Sequence, residues 1–503
     1  MQRRNRRKLP VDPAPEREVD FLTDSPVISH PVPARIQSHE WPKERGRRES
    51  FQQFNDMSQI IPAASASVLT RRGFLSTSST ALGGAMIGSL AIERMAFAAA
   101  SDEIKIALVG CGGRGSGAAN QALNVPGVKL VAMADAFQDR LTGALNSLKS
   151  SQGAKVDVPA DRQFVGLDGY KKAIALADVV VLATPPGFRP QHFEEAVRQG
   201  KNVFMEKPVA VDGPGVRRVL AAAEEAKKKN LKVGVGLQRH HQPGYLETMK
   251  RLHDGALGDI YLVRAYWNDG GVWVNPRKEG QTELEFQMRN WYYFNWLCGD
   301  HITEQHIHNL DVANWVKNAY PVKAHGMGGR QVRTQKEYGE IFDHHALEYT
   351  YADGTTLLSQ CRHIRGADSN VSEQCVGSKG SCNVSGHTIT PSGGGTAWRY
   401  RGEKQVDPYQ QEHDDLFAAI RKNTEYNEAF NGAKSSLTSI MGRMSTYTGK
   451  TITWEQALNS NVILAPNDFE NLRWDSECKS KADANGFYPV AVPGDAKWFK
   501  MLV

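Results

Sequence analysis

Ile104-Lys105-Ile106-Ala107-Leu108-Val109-Gly110-Cys111-Gly112-Gly113-Arg114-Gly115 is the stretch on which the reading of this chain turns. A short run of β-formers enters a glycine loop, and Ser116 to Leu123 continues in helix-compatible residues. Glycines at 110, 112 and 115 permit a tight turn, close backbone approach to a pyrophosphate and close packing of helix on strand. Gly113 and Arg114 complete the loop, and phosphates would sit on the helix N-terminus, where free N–H groups point outward. A second strand, Lys129 to Ala134, ends in Asp135, where a ribose-binding acid belongs. A carboxylate there repels a 2′-phosphate, so NAD is expected ahead of NADP. Taken alone, the glycine spacing also fits a turn in a sheet that binds nothing.

Outward from this loop, strand and helix alternate. Apolar runs at 178–183, 202–205 and 232–235 are separated by amphipathic stretches at 190–199 and 213–229, the pattern of a parallel sheet covered on both faces. Ligands of such sheets lie beyond the carboxyl ends of the strands, where Thr184-Pro185-Pro186 and Glu206-Lys207-Pro208 fall. Further on, Ile260 to Trp267 alternates as a strand, and 346–351 and 355–361 flank Asp353-Gly354, a strong hairpin signal. The glycine loop, the Ala-Thr-Pro-Pro after a strand and above all Glu206-Lys207-Pro208 resemble the Gfo/Idh/MocA family of nicotinamide-dependent oxidoreductases. The resemblance covers about residues 103 to 455. It implies an α/β architecture: an N-terminal Rossmann doubly wound parallel sheet, then an α+β domain whose open, mainly antiparallel sheet floors the substrate site. It also implies that Lys207 lies beside nicotinamide and substrate; read by itself, a lysine at a strand end is ordinarily a solvated charge. Gly110, Gly112, Gly113, Arg114, Gly115, Asp135, Thr184, Pro185, Glu206 and Lys207 are therefore the expected cofactor-binding residues.

Two later segments carry candidate chemistry. Asn290-Trp291-Tyr292-Tyr293-Phe294-Asn295-Trp296 sets aromatic faces beside amides, which suits the faces and hydroxyl edges of a sugar ring and suits a core contact equally. In the run Gly299 to Trp315, a continuous helix would place His301, Glu304, His308, Asp311 and Trp315 on one face. The family carries Asp-x-x-x-His-x-x-Asp here, matched by Glu304, His308 and Asp311, with Glu304 a longer carboxylate than usual. His308 is the expected general acid/base, with a carboxylate one turn away to set its tautomer. Lys207, His308 and Glu304 form the catalytic set; Arg239, Trp291, Tyr292 and Asp311 are the candidate substrate contacts. A metal site of His301, Glu304 and His308, with His344 or His345, is the competing idea, but His-Glu-x-x-His spacing is absent and no metal is expected.

Charge and composition bound the rest. Of 503 residues, 61 are Lys or Arg and 55 Asp or Glu, a formal charge of +6. The first hundred residues hold 14 basic and 10 acidic side chains, leaving 47 against 45 in the remainder, so a nucleic-acid footprint is not supported. The longest apolar run, Ala81 to Ile92, is too short and too glycine-rich to span a bilayer. Arg71-Arg72, a Ser/Thr- and Gly-rich apolar middle and Ala96 to Ala100 resemble a twin-arginine export signal, which implies a periplasmic protein exported already folded. The expected organisation is an extension at 1–56, disordered or untranslated with Met57 as the start; the signal at 57–100; a nucleotide domain at 101–236; a substrate domain at 237–465; and a tail at 466–503. Six scattered cysteines form neither a disulfide framework nor a zinc knuckle, and Cys375 and Cys382 are expected to face each other as free thiols on a hairpin. The expected activity is hydride transfer between NAD and a carbinol of a sugar, cyclitol or related polyol. Its rivals are a redox-neutral NAD-dependent glycoside hydrolase, a sugar–sugar transhydrogenase with tightly held cofactor, and a binding protein without chemistry. The expected partner is a small carbohydrate, and an uncovered sheet face points to a homo-oligomer.

Overall fold

The computed structural model describes residues 103–402 and 407–503. The extension and the export signal lie outside the described residues.

Six strands, β1 Ile104–Val109, β2 Val128–Asp135, β3 Gln163–Val165, β4 Val179–Leu182, β5 Asn202–Met205 and β6 Val233–Val235, form a parallel sheet in the order β3-β2-β1-β4-β5-β6. The continuous apolar runs arise because both faces are covered. Ile106, Leu108, Val179, Val181 and Phe204 point to one face, under helices Gly113–Asn124, Gln138–Gln152 and Pro408–Lys422. Ala107, Val109, Val180, Leu182 and Met205 point to the other, under helices Gly169–Ala175, Arg189–Arg198 and Gly213–Lys228. Strand order reverses between β1 and β4, and at that switch point a crevice opens beyond the carboxyl ends.

A nine-stranded sheet follows: β7 Ile260–Asp269, β8 Lys323–Gly329, β9 His344–Thr350, β10 Thr356–His363, β11 Asn370–Gly377, β12 Gly380–Asn383, β13 Thr388–Pro391, β14 Trp398–Arg399 and β15 Ile452–Thr453. Its order is β14-β13-β12-β11-β7-β10-β9-β8-β15, and every pairing except β7 with β10 is antiparallel. The hairpin joining β9 to β10 turns at Asp353-Gly354, where Gly354 has φ +84°. Alternation along β9 and β10 buries Leu347, Tyr349, Leu357 and Cys361 against helices Ile307–Lys317 and Ala429–Thr448, while Ala346, Glu348 and Leu358 face outward. On that outer face Leu358 and Met327 are exposed. Cys375 and Cys382 are directly opposed on β11 and β12, buried and free.

The last segment is a structural part of the molecule. Phe469 stacks on Phe188, Trp474 meets Phe137, and Cys478 and Tyr488 join a buried cluster with Phe286, Phe294 and Trp296. Among the described residues, no helix is long and apolar enough to cross a membrane.

Candidate active site

A cavity of about 640 Å³ begins at the glycine loop and runs to the inner face of the nine-stranded sheet. At the loop end, Gly110 has φ +95°, and a Cβ there would lie 2.5 Å from Thr184 N. A Cβ on Gly115 would lie 1.9 Å from Gly110 O, so helix and strand meet as closely as their backbones allow. Gly112 and Gly113 behave differently, since a Cβ on either meets no protein atom within 4 Å. That open volume sits at the start of helix Gly113–Asn124, whose N-cap Gly112 supplies no side-chain acceptor for the first-turn N–H groups. An uncapped helix start facing open volume fits a pyrophosphate.

Asp135 closes β2 with both carboxylate oxygens engaged, accepting Cys111 N–H at 2.7 Å and Phe137 N–H at 2.8 Å. Burial raises its pKa, against the lowering effect of those two N–H groups. The carboxylate still lines the cavity, where a ribose would meet it. Buried Arg189 ties the ends of β4 and β5 together, donating to Thr184 O at 2.5 Å and Glu206 O at 3.0 Å. Glu206 pairs with Arg114 at 2.8 Å, and a Cβ on Gly236 would lie 2.5 Å from the Glu206 carboxylate. Pro185 lines the cavity between these groups.

Lys207 reaches across to the second half of the chain. Its Nζ donates to Glu304 O at 2.5 Å and lies 3.3 Å from Glu304 Oε1. His308 lines the same cavity, buried, with its ring stacked on Trp267 at 5.9 Å. Burial first, then the charges of Lys207 and Arg239, hold His308 well below the ordinary imidazole pKa. The loop glycines, Asp135, Thr184, Pro185, Glu206, Lys207, Glu304, His308 and Trp291 thus share one cavity.

Other expectations fall elsewhere. The run 299–315 is not one helix: His301–Glu304 ends at Gln305, and a second helix spans Ile307–Lys317. Among the described residues no carboxylate orients His308, whose Nδ1 is buried without a hydrogen-bond partner there; Glu304 serves Lys207 instead. Asp311 does not line the cavity and accepts from His240 at 2.7 Å, Ser435 at 2.8 Å and Asn431 at 2.9 Å. Arg239 is paired with Glu373, and Tyr292 is buried in the aromatic cluster beneath Trp291. The set weighed for a metal is split: His301 and His345 meet on buried Asp300, with ligand atoms within 4.8 Å of one another, while Glu304 and His308 line the cavity and His344 pairs with Asp343. Cavity residues that the sequence did not single out include Trp267, Gln305 and Tyr409. Strand parity signals the first, because Val263, Ala265 and Trp267 share the inward face of β7. The others depend on long-range packing.

A family model described as "Oxidoreductase family, NAD-binding Rossmann fold" (GFO_IDH_MocA) matches residues 104–236. An inositol 2-dehydrogenase of Rhizobium meliloti (strain 1021) is 23% identical over 351 residues, covering 66% of this chain and 94% of that relative. Among solved structures, an aldose-aldose oxidoreductase from Caulobacter crescentus complexed with glycerol matches with a TM-score of 0.56 at 18% identity, over 70% of this chain and 99% of its own. A scyllo-inositol dehydrogenase from Lactobacillus casei with bound NAD(H) and scyllo-inositol matches with a TM-score of 0.53 at 20% identity, with the same coverage.

Proposed function

We propose that this chain, whose residues 104–236 match the NAD-binding Rossmann model of an oxidoreductase family, transfers hydride between NAD and a carbinol carbon of a cyclitol, sugar or related polyol. One observation carries the reading: Lys207, Glu304 and His308 converge on the cavity that the glycine loop opens. Bound NAD supplies the hydride acceptor. His308, unprotonated at neutral pH, takes the proton of the carbinol hydroxyl. Lys207, held on the carbonyl and carboxylate of Glu304, stabilises negative charge that develops on the same oxygen. Glu304 is a positioning residue for Lys207. Trp291 and Trp267, which both line the cavity, give a polyol ring apolar surface.

Lys207→Ala and His308→Ala should each lower turnover at least about a hundredfold while NAD binding persists. Full turnover in either variant removes that residue from the mechanism. Export through a twin-arginine route to the periplasm belongs to the same proposal, resting on Arg71-Arg72 and the small-residue exit at Ala98 to Ala100. N-terminal sequencing of the exported protein tests it. A homo-oligomer through the outer sheet face, where Met327 and Leu358 are exposed, is tested by light scattering of the native protein and of Met327→Glu.

A further inference from the structure

Gln305 occupies the break between helices His301–Glu304 and Ile307–Lys317, with Glu304 beside it and His308 three residues on, and all three line the cavity. Its Oε1 lies 2.7 Å from Nε2 of His363, which projects from the inner face of β10. His363 is 1% exposed, and its ring is fixed from two sides: it stacks on His301 at 4.3 Å and on Tyr292 at 5.7 Å. Its Nδ1 is buried with no partner. Burial, with the neighbouring His301 and Arg333, keeps this imidazole neutral, so it carries one proton. On Nδ1 that proton would be a buried N–H without an acceptor, which folded proteins rarely tolerate. On Nε2 it is donated to Gln305 Oε1, and only a bare lone pair is left unsatisfied. The tautomer therefore follows from the packing, and it fixes the amide: the oxygen is engaged by His363, and the NH2 group remains with no hydrogen bond to the described residues.

We propose that Gln305 is a specificity-determining residue, its amide N–H held by His363 so as to donate to a hydroxyl oxygen on the carbon next to the reacting carbinol. His363 is its positioning residue. This rests on the hydride-transfer reading above and deepens it, because it states which feature of a polyol the site reads. Lys207 and His308 address the reacting oxygen, and Gln305, on the same short segment as His308, addresses the next one. A site that hydrogen-bonds a hydroxyl discriminates against the deoxy analogue, since the protein donor is then left unpaired in a desolvated place.

The test uses the NAD-loaded protein with a panel of inositols and aldoses. The compound turned over fastest is then compared with its monodeoxy analogues. The wild type should prefer the parent over one vicinal deoxy analogue by at least about tenfold in kcat/KM. Gln305→Leu, and Gln305→Met as a second variant of similar length with no donor, should bring that ratio close to one by slowing the parent alone, with nucleotide retained. His363→Phe keeps a ring for the stack on His301 and Tyr292 and removes the N–H donor, so it should lower the ratio in part and add little to Gln305→Leu. Wild-type discrimination in both Gln305 variants, or equal losses on parent and analogue, would overturn the proposal. If Lys207→Ala is inactive and the Gln305 variants are unaffected, only this inference fails. If no panel member is turned over, or Lys207→Ala is fully active, the hydride-transfer reading fails and this one with it.

Discussion

Gly112 and Gly115 stand three residues apart and answer to different constraints. A Cβ on Gly115 meets the Gly110 carbonyl at 1.9 Å, so Gly115→Ala should cost about 1–3 kcal/mol of stability, read by denaturant unfolding. Gly112 has φ −75° and open space around its Cβ position. Gly112→Ala should therefore leave stability within about 0.5 kcal/mol of wild type. Its affinity for NAD should fall at least about tenfold by calorimetry, because the methyl takes the space of a pyrophosphate. His308 gives a second residue-scale expectation. Lys207 is one of the groups that depress its pKa, so replacing that cation in Lys207→Met should move the His308 titration upward towards the ordinary imidazole value, followed by NMR. An unchanged titration would mean that Lys207 does not face it. At this scale the loop glycines and Asp135 were legible because the local strand-loop-helix pattern locates them, and Lys207 through the family resemblance carried by Glu206-Lys207-Pro208. Asp311, Arg239 and Tyr292 were not, because their partners, His240, Glu373 and the aromatic cluster under Trp291, are brought to them only by the tertiary fold.

Between elements, the cofactor cavity is bridged by side chains from distant parts of the chain. Arg289, at the end of helix Glu283–Arg289, makes a double ion pair with Asp139 at 2.7 and 2.8 Å, and its guanidinium lies 3.7 Å from the Phe137 ring centroid. Both Arg289 and Phe137 line the cavity. Asp139 is largely exposed, so the pair is worth at most about 1 kcal/mol to stability. Its consequence is kinetic: Arg289→Ala should release bound NAD roughly tenfold faster, measured by displacement with excess nucleotide, with unfolding little changed. Unaltered release would show that this bridge does not retain the cofactor. Five of the six strands of the parallel sheet could be read from sequence because burial on both faces leaves an uninterrupted apolar run; the edge strand β3, short and partly exposed, could not. The break at Gln305 could not, since no proline or glycine marks it. It arises where Lys207 takes the carbonyl of Glu304 and His308 N–H turns to Gln305 O at 3.2 Å. Helix Pro408–Lys422 and the tail were equally obscure, because their apolar residues show an amphipathic face without naming the distant surface it covers.

Across the whole molecule, buried imidazoles set the response to acid. His192, His306, His308, His345, His363 and His413 are all held below the ordinary imidazole pKa by burial, His192 and His413 at about 3. Below about pH 6.5 the unfolded chain takes up protons that the folded chain refuses, so stability falls as pH drops from there towards 3. His241 acts in the opposite direction: against burial, Asp415 and Glu428 hold it up at about 9, and its contribution is lost as pH rises through that value. From these groups, unfolding midpoints should therefore peak at about pH 6.5, falling towards acid as the buried imidazoles are forced to charge and falling towards about pH 9 as the His241 contribution is lost; a flat profile across the acid range would contradict this. The most direct measurement of the catalytic claim is a single turnover of the NAD-loaded protein with a polyol substrate, followed at the reduced-nicotinamide absorbance band. The band should grow in the wild type and grow at least about a hundredfold more slowly in Lys207→Ala and in His308→Ala, with nucleotide bound in all three. Equal rates in the three proteins, or a wild type that takes up no NAD, would contradict it.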